Sequence, residues 1–361
     1  MKLNHIYKSI ACGVLLAMTA TSCDLDYNPV DTYSDVTEGV NKTDEKPIFN
    51  SVQDVETSMV TLHKKFRDQQ EHWYVDKLLI GDAHSDNAYA GTTGAEVVPY
   101  ETNSIEGSNS VLKRDWDRFL GDIAVANRII VGCDQLKALS ESERGKYQSQ
   151  AKIFRAMVMF DMVRLWGNFP VITTVGGDIT EDNVEEMYPT YFPPQNTAEE
   201  AYAQIEKDLT EAVENPNTPT NDTSDKSILT KSVARAMLAK VYAEKPLRDY
   251  AKVIKYADEL AADGFDLVED FSDLWAYDTE KKDCRVRNTK EAILEAHFPP
   301  GSGNWCTWMF GRNLSNWDES FTWAKWITPS RDLIRLYEEQ GDTKRYNESV
   351  VWYDCGWSNY Y

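Results

Sequence analysis

Tryptophan is concentrated near the end of the 361-residue chain, where seven of the 11 Trp residues lie at or after Trp305. Residues 301–326 mix five of them with polar side chains: Trp305, Trp308, Trp317, Trp323, Trp326, Asn304, Arg312, Asn313, Asn316 and Asp318. Sugars present flat CH faces and a ring of hydroxyls, so a sugar site needs aromatic rings and polar groups at their edges. The mixture predicts four ligand contacts, from Trp305, Trp308, Trp317 and Arg312. Packing in the core or within the loop is the alternative for each Trp.

Two pairs of residues are candidates for catalysis or metal binding. Glu291 and Glu295 lie one helical turn apart, or on one face of a strand. A glycosidase needs two carboxylates about 5–10 Å apart that flank the sugar, and spacing in the sequence does not establish this. His84 and Asp86 are possible metal ligands, but a hydrogen-bonded loop is the alternative that we favour. Because no P-loop, dinucleotide, zinc-protease or serine-hydrolase motif occurs, we predict no catalytic residue, no metal and no cofactor.

Arg155, Asp161 and Arg164 form another charged set. All three lie in one segment with helical periodicity, where spacings of six and three place them near one another. A salt-bridged structural network is favoured over a functional site for these residues.

Most of the chain has the periodicity of α-helices. Ser51 with Asp54, Ser140 with Glu143 and Thr197 with Glu200 have the spacing of helix-starting capping pairs. Apolar residues at three- and four-residue steps predict seven helices, over residues 51–66, 112–130, 140–167, 197–212, 233–241, 250–264 and 328–341. The last of these is expected to begin at Thr328 and Pro329.

The helices recur in pairs of about 34 residues, which suggests tetratricopeptide-like packing. Residues 79–110 and 298–326 lack helical period and are rich in Gly, Ser, Asn and Trp, so long irregular loops are predicted there. Residues 170–196 are predicted as an ordered loop, because their aromatic side chains need cover. The fold class is therefore mostly α, with tetratricopeptide-like helix pairs forming a scaffold, long irregular ligand-binding loops and little β-structure.

The N-terminus predicts an exported, lipid-anchored protein. A basic start is followed by the uncharged run Ile10 to Ala20, which is too short to span a bilayer and fits a signal peptide. Ala20-Thr21-Ser22-Cys23 then resembles a bacterial lipoprotein cleavage site, with acyl chains on Cys23 as the only membrane attachment. Ordinary secretory cleavage with a free Cys23 thiol is the alternative. The predicted organisation is a signal over residues 1–22, a tether over 23–47 and a single domain over 48–361.

The remaining cysteines and the charge exclude several classes of protein. Cys133, Cys284, Cys306 and Cys355 are widely spaced, which argues against zinc and leaves three possible disulfide pairings open. Cys133 lies in a helical pattern and is predicted to be a buried free thiol. The net charge of −21 disfavours nucleic acid, because the chain repels phosphate backbones.

Residues 150–171, QAKIFRAMVMFDMVRLWGNFPV, resemble the helix typical of the SusD/RagB family, A-x-x-x-R-A-x-x-[YF]-F-D-[LM]-V-R-L-[FW]-G-x-x-P. Further similar pieces follow in the family's order: Trp116 with Ala126 and Asn127, then residues 201–209, 230–242, 256–257, 264–267, 271–275, 291–295 and 342–345. The resemblance extends from Cys23 to about Tyr346. Members are typically longer, so we expect the chain to be incomplete at its C-terminus.

The resemblance implies a surface lipoprotein of the outer membrane that faces the cell exterior. It would capture oligosaccharide without catalysis and pass it to a SusC-like TonB-dependent transporter. Ligand loops in this family follow the Glu291-type region and also precede the Trp116-type helix. The second position adds three candidate glycan contacts, Trp73, Asp86 and Tyr89. A glycan-degrading surface enzyme and a helical-repeat protein that binds a peptide or protein partner are the alternatives.

Overall fold

The computed structural model describes residues 47–90, 96–177, 179, 181, 183–274, 277–278, 280–281, 283–298 and 327–350. The described residues from Ile48 onward belong to one compact unit. The predicted signal peptide, Cys23 and nearly all of the predicted tether lie outside the described residues. In the part of the chain that the structure describes, no helix is both long and apolar enough to span a bilayer.

The described residues are mostly α-helical, as the sequence predicts. The α-helices are α1 Val52–Asp68, α2 Asp76–Asp82, α3 Val98–Glu101, α4 Ser110–Gln135, α5 Glu141–Trp166, α6 Val184–Met187, α7 Ala198–Glu214, α8 Lys231–Ala243, α9 Tyr250–Ala262, α10 Arg331–Gln340 and α11 Thr343–Ser349. A π-helix covers Glu71–Val75, and 3-10 helices cover Tyr188–Tyr191 and Phe271–Leu274. Short strands form two antiparallel pairs, β1 Ala88–Ala90 with β4 Ile327–Pro329, and β2 Tyr277–Asp278 with β3 Asp283–Cys284.

The three capping pairs read from the sequence are present. At the start of α1, the Ser51 hydroxyl accepts the Asp54 N–H at 3.2 Å, and the Asp54 carboxylate accepts the Ser51 N–H at 3.0 Å. Ser140 caps α5 and Thr197 caps α7 in the same reciprocal way. Each box satisfies N–H groups that have no partner inside the helix, which fixes where these helices begin.

The core lies between helices that follow one another in sequence. α4 packs against α5, α5 against α7, α7 against α8 and α8 against α9, as expected of tetratricopeptide-like pairs. One cluster of fully buried side chains joins them and includes Phe119 and Ile123 of α4, Phe154 and Met159 of α5, and Ile205 of α7. Burying each such side chain contributes about 1.5–3 kcal/mol. Cys133 is a buried free thiol, as predicted, and burial raises its pKa to about 12.

Two segments differ from the sequence prediction. The last predicted helix begins at Arg331 with Ser330 as its cap, because Thr328 and Pro329 pair with β1 as part of β4. The predicted loop over residues 79–110 begins inside α2, which continues to Asp82. Three consecutive apolar residues followed by Gly81 hide the helical period of α2.

The predicted loop over residues 170–196 also differs from expectation, although it is closed at its base. The Asn196 N–H donates to the Phe169 carbonyl at 2.9 Å, and the Asn196 side-chain oxygen accepts the Val171 N–H at 2.9 Å. Its aromatic side chains are not covered, however: Tyr188 is 55% exposed and Phe192 is 68% exposed. The expectation of cover was therefore wrong for these two rings.

Candidate functional site

A two-stranded ribbon joins one predicted ligand loop to the chain that follows the Trp-rich segment. Tyr89 in β1 lies opposite Thr328 in β4, and Ala90 lies opposite Ile327. Just beyond the ribbon, the Asn87 carbonyl accepts the Ser330 N–H at 2.9 Å. The loop that carries Asp86 and Tyr89 is therefore held beside residues 327–330, the first described residues after the Trp-rich segment.

The chain before the Trp-rich segment is anchored to the same stretch. The Phe298 ring lies 6.5 Å from the ring of Tyr74, in the π-helix, and Arg287 donates to the Phe298 carbonyl at 2.8 Å. Ile327, on the other side of the segment, lies opposite Ala90. The described residues at both ends of 299–326 thus lie against the stretch between Tyr74 and Ala90.

Tyr89 and Asp86 are both exposed. Tyr89 is 41% accessible and lies between buried Ala88 and half-buried Ala90, so its ring projects from the outer face of β1. Nearby, the His84 side chain hydrogen-bonds the Asn103 side-chain oxygen at 2.5 Å. An aromatic ring such as Tyr89 can stack on the face of a sugar, and a carboxylate such as Asp86 can accept hydrogen bonds from its hydroxyls. His84 thus takes part in the hydrogen-bonded loop that we favoured over a metal site.

The predicted role of Trp73 is corrected. Its side chain is only 3% exposed and belongs to the main core, with its ring 5.4 Å from that of Phe154. The indole N–H donates to Asp122 at 3.0 Å, and the His72 ring hydrogen-bonds the same carboxylate oxygen at 2.8 Å. Because neither face of the indole is open to solvent, Trp73 cannot stack on a ligand in this structure.

Four other candidate ligand contacts lie outside the described residues: Trp305, Trp308, Arg312 and Trp317. Cys23, the predicted lipid attachment site, also lies outside them. Trp116 of α4 and Trp166 of α5 pack against each other as an edge-to-face pair with ring centroids 5.3 Å apart.

A buried acidic pair lies behind the site, where α2 meets α4. Asp76 of α2 and Asp115 of α4 are essentially inaccessible, and Arg114 forms a short hydrogen bond to Asp76. Among the described residues, neither Asp76 Oδ1 nor Asp115 Oδ1 has a hydrogen-bond donor. Burial, with the charge and hydrogen bond of Asp76, raises the pKa of Asp115 to about 9. A proton shared by the two carboxyls would satisfy both orphan oxygens.

Other buried groups surround this pair. Burial and the neighbouring carboxylates raise the pKa of Tyr100, and its ring packs with Leu79, Ala83 and Val111 in a small apolar cluster. Ala90 and Ile327 of the ribbon pack against the same cluster. No sequence pattern predicts this arrangement, because Asp76 and Asp115 look like ordinary surface acids of helices until their packing is known.

The charged set on α5 does not form one network. Arg155 makes a bidentate buried ion pair with Asp208 of α7 at 2.7 and 2.8 Å. Asp161 pairs instead with Lys77 of α2, and Arg164 pairs with Glu244 at 3.2 Å. Each therefore ties α5 to a different part of the chain, which supports a structural role and corrects the expectation of a shared network.

The paired carboxylates Glu291 and Glu295 accept backbone N–H groups. Glu291 accepts from Val268 at 3.0 Å, and Glu295 accepts from Asn288 at 3.1 Å. The His297 ring also hydrogen-bonds Glu295 at 3.0 Å. These hydrogen bonds indicate that Glu291 and Glu295 stabilise the conformation of the loop.

Comparison with known proteins identifies relatives along much of the chain. A sequence model of the SusD-like family, described as starch-binding and associating with the outer membrane, matches residues 32–243. A SusD-like protein of Bacteroides ovatus is 25% identical over 309 residues, which cover 82% of this chain and 50% of that protein. The chain thus spans about half the length of that curated relative.

Solved structures show the same fold. A SusD superfamily protein from Bacteroides thetaiotaomicron superposes with a TM-score of 0.62 at 18% identity, covering 79% of this chain and 62% of that one. A laminarin-binding SusD-like protein superposes with a TM-score of 0.53 at 20% identity, covering 63% of this chain and 48% of that one. At these identities the likeness establishes the helical fold.

Proposed function

The chain belongs to the SusD-like family, and from this membership we propose that it is a surface lipoprotein that binds a glycan. The observation that supports this most directly is the exposed Tyr89, with Asp86 three residues before it, on a ribbon whose other strand is Ile327–Pro329. The laminarin-binding structure shows that the fold serves a glycan ligand in a relative. In this chain the ligand would stack on Tyr89 and hydrogen-bond Asp86.

The ribbon would make this site largely preformed. Backbone pairing and the contacts of Ser330 already order the loop, so little conformational entropy is lost when a ligand binds. Rings from the Trp-rich segment, including Trp305, Trp308 and Trp317, would add further platforms, and Arg312 would add a donor. The net charge of −21 favours a neutral glycan over an acidic one, because like charges repel.

The protein would act by capture and delivery, without catalysis. We propose that acyl chains on Cys23 anchor it to the outer membrane, facing the cell exterior, and that it passes the glycan to a SusC-like TonB-dependent transporter. Glu291 and Glu295 each already accept a backbone N–H, which favours a structural role for both. Co-purification of a TonB-dependent transporter with the lipidated chain, but not with Cys23→Ala, would test delivery.

Native affinity electrophoresis tests glycan binding. The chain from Asp24 onward would be run through gels cast with plant, host and microbial polysaccharides, beside Tyr89→Ala and the matched variant Tyr250→Ala. Tyr250 is an exposed ring, 60% accessible, on α9 and away from the ribbon. We expect selective retardation of the parent and of Tyr250→Ala, and about tenfold weaker binding by Tyr89→Ala. A folded parent that no polysaccharide retards, or Tyr89→Ala that binds as the parent does, would contradict the proposal.

A further inference from the structure

The loop between α5 and α7 displays two neighbouring aromatic rings to solvent. Tyr188 and Phe192 have ring centroids 5.0 Å apart and planes inclined by 50°. They are 55% and 68% exposed, so each ring has a face open to solvent. A ring of this size is normally buried, and two adjacent exposed rings mark a candidate contact surface.

The loop is built to hold these rings in place. The Tyr191 hydroxyl donates to the Gly177 carbonyl at 2.6 Å, and the Thr190 hydroxyl donates to the Met187 carbonyl at 2.7 Å. A Cβ on Gly177 would lie 2.9 Å from the Met187 side chain. The chain near Gly177 can therefore approach Met187 this closely because glycine has no side chain. The Tyr191 ring is 49% exposed as well, but its hydroxyl bond ties it to Gly177, so we assign it a positioning role and assign the platform to Tyr188 and Phe192.

The loop is also tied to a buried ion pair of the core. Arg155, paired with Asp208, donates to the Asn127 side-chain oxygen at 2.7 Å. The Asn127 amide in turn donates to the carbonyls of Ile172 and Thr174, at 2.9 and 3.2 Å. The first leg of the loop is therefore held by the helical scaffold, and its position does not depend on a ligand.

The residues that flank the two rings in sequence favour a small polar ligand. Glu185, Glu186 and Gln195 are exposed near the rings in sequence and offer hydrogen-bonding groups. A stable protein interface involves about 20–30 residues on each side. Two rings on one loop supply far less than that, but they match the size of one or two sugar rings.

We propose that Tyr188 and Phe192 form a second carbohydrate-contact surface, separate in sequence from the Tyr89 ribbon, that binds neutral sugar rings. This inference rests on the proposed glycan-binding function. A long glycan could then bind the chain at two places, which would strengthen the overall binding without any change at either surface. The carboxylates near the rings would disfavour acidic sugars.

The test compares four proteins on a polysaccharide that retards the parent: the parent, Tyr188→Ala/Phe192→Ala, Tyr89→Ala and Tyr250→Ala. We expect the double variant to bind about tenfold more weakly than the parent, and Tyr250→Ala to bind as the parent does. Tyr188→Phe/Phe192→Tyr, which keeps both rings, should bind within about twofold of the parent. Each variant should melt at the parent's temperature, because the replaced side chains are exposed.

The outcomes separate this inference from the proposed function. In one outcome the parent and Tyr250→Ala are retarded, and Tyr89→Ala binds weakly. If the double variant then binds as the parent does, the second surface is overturned and the proposed function stands. If no polysaccharide retards the folded parent, both fail. Sedimentation that shows a dimeric parent and a monomeric double variant, with unchanged glycan binding, would assign the rings to a protein interface and overturn the proposal.

Discussion

Ser330 donates its hydroxyl to the carbonyl oxygen of Asp86 at 2.6 Å, across 244 positions of sequence. The same hydroxyl accepts the backbone N–H of Leu333 at 3.0 Å and so caps α10. One buried side chain therefore starts a helix and also holds the loop that carries Asp86 and Tyr89.

Replacing Ser330 with Ala should weaken both structures. Loss of the cap and of the bond to Asp86 should lower the free energy of unfolding by about 1–2 kcal/mol. Glycan binding should weaken as well, because the loop would have to be ordered by the ligand. Urea unfolding measures the loss of stability. Faster hydrogen exchange at the amides of residues 84–90 would show that the loop is less ordered.

Ser51→Ala is the matched control for this variant. Ser51 caps α1 through the Asp54 N–H in the same way, and among the described residues its side chain has no hydrogen bond to the ribbon. We expect a similar loss of stability with unchanged exchange at residues 84–90. Equal exchange at these amides in both serine variants would show that Ser330 does not hold the loop.

Trp73 should prove a core residue in experiment. Trp73→Ala removes a buried ring and should cost about 3–5 kcal/mol. Trp73→Phe keeps most of the ring packing but loses the donor to Asp122, and should cost about 1–3 kcal/mol. A folded Trp73→Phe that binds glycan as the parent does would agree with this assignment. Specific loss of binding with parental stability would return Trp73 to the ligand site.

The helices could be predicted from the sequence because their signals are local. Ser140 with Glu143, and Thr197 with Glu200, meet within one turn, so neither pair requires knowledge of the tertiary fold. The start of α10 was misplaced for the opposite reason. Whether Thr328 and Pro329 join a helix or a strand depends on β1, which lies more than 200 positions earlier in the chain.

The candidate site was predictable only in part. Tyr89 and Trp73 look alike in the sequence, as aromatic residues near polar neighbours, but one is exposed and the other lies in the core. The exposed pair Tyr188 and Phe192 was read as needing cover, because apolar composition indicates burial on average. Whether an aromatic side chain is exposed depends on which other parts of the chain pack against it. A local sequence pattern does not contain that information.

The buried pair of Asp76 and Asp115 should make stability depend on pH. The folded-state pKa of Asp115 is raised, so the folded state holds a proton that the unfolded state releases above about pH 4. This contribution is fully present below pH 4 and is lost as the pH rises toward about 9. The stability that this group contributes should therefore fall as the pH rises across that window.

Asp115→Asn tests this prediction, because the amide stays neutral and can donate to Asp76. Subtracting the free energy of unfolding of the parent from that of the variant at pH 5, 7 and 9 should give a difference that grows with pH. Asp117→Asn is the control, since Asp117 lies on the same helix, is exposed and pairs with Lys113. If the same variant-minus-parent difference for Asp115→Asn did not change with pH, the pair would hold no extra proton.

Asn127 should couple the core to the loop that carries Tyr188 and Phe192. Asn127→Ala removes the donors to Ile172 and Thr174 and leaves Arg155 one acceptor short, which should cost about 1–3 kcal/mol. Hydrogen exchange in residues 171–177 should quicken, and glycan binding should weaken because the two rings are no longer held in place. Asn215→Ala removes a comparable bond, to the Gly145 carbonyl at 3.2 Å, and should leave both the loop and the binding unchanged. Parental exchange in residues 171–177 of a destabilised Asn127→Ala would mean that the loop is held by its own contacts, such as the bond from Tyr191 to Gly177, rather than by the core.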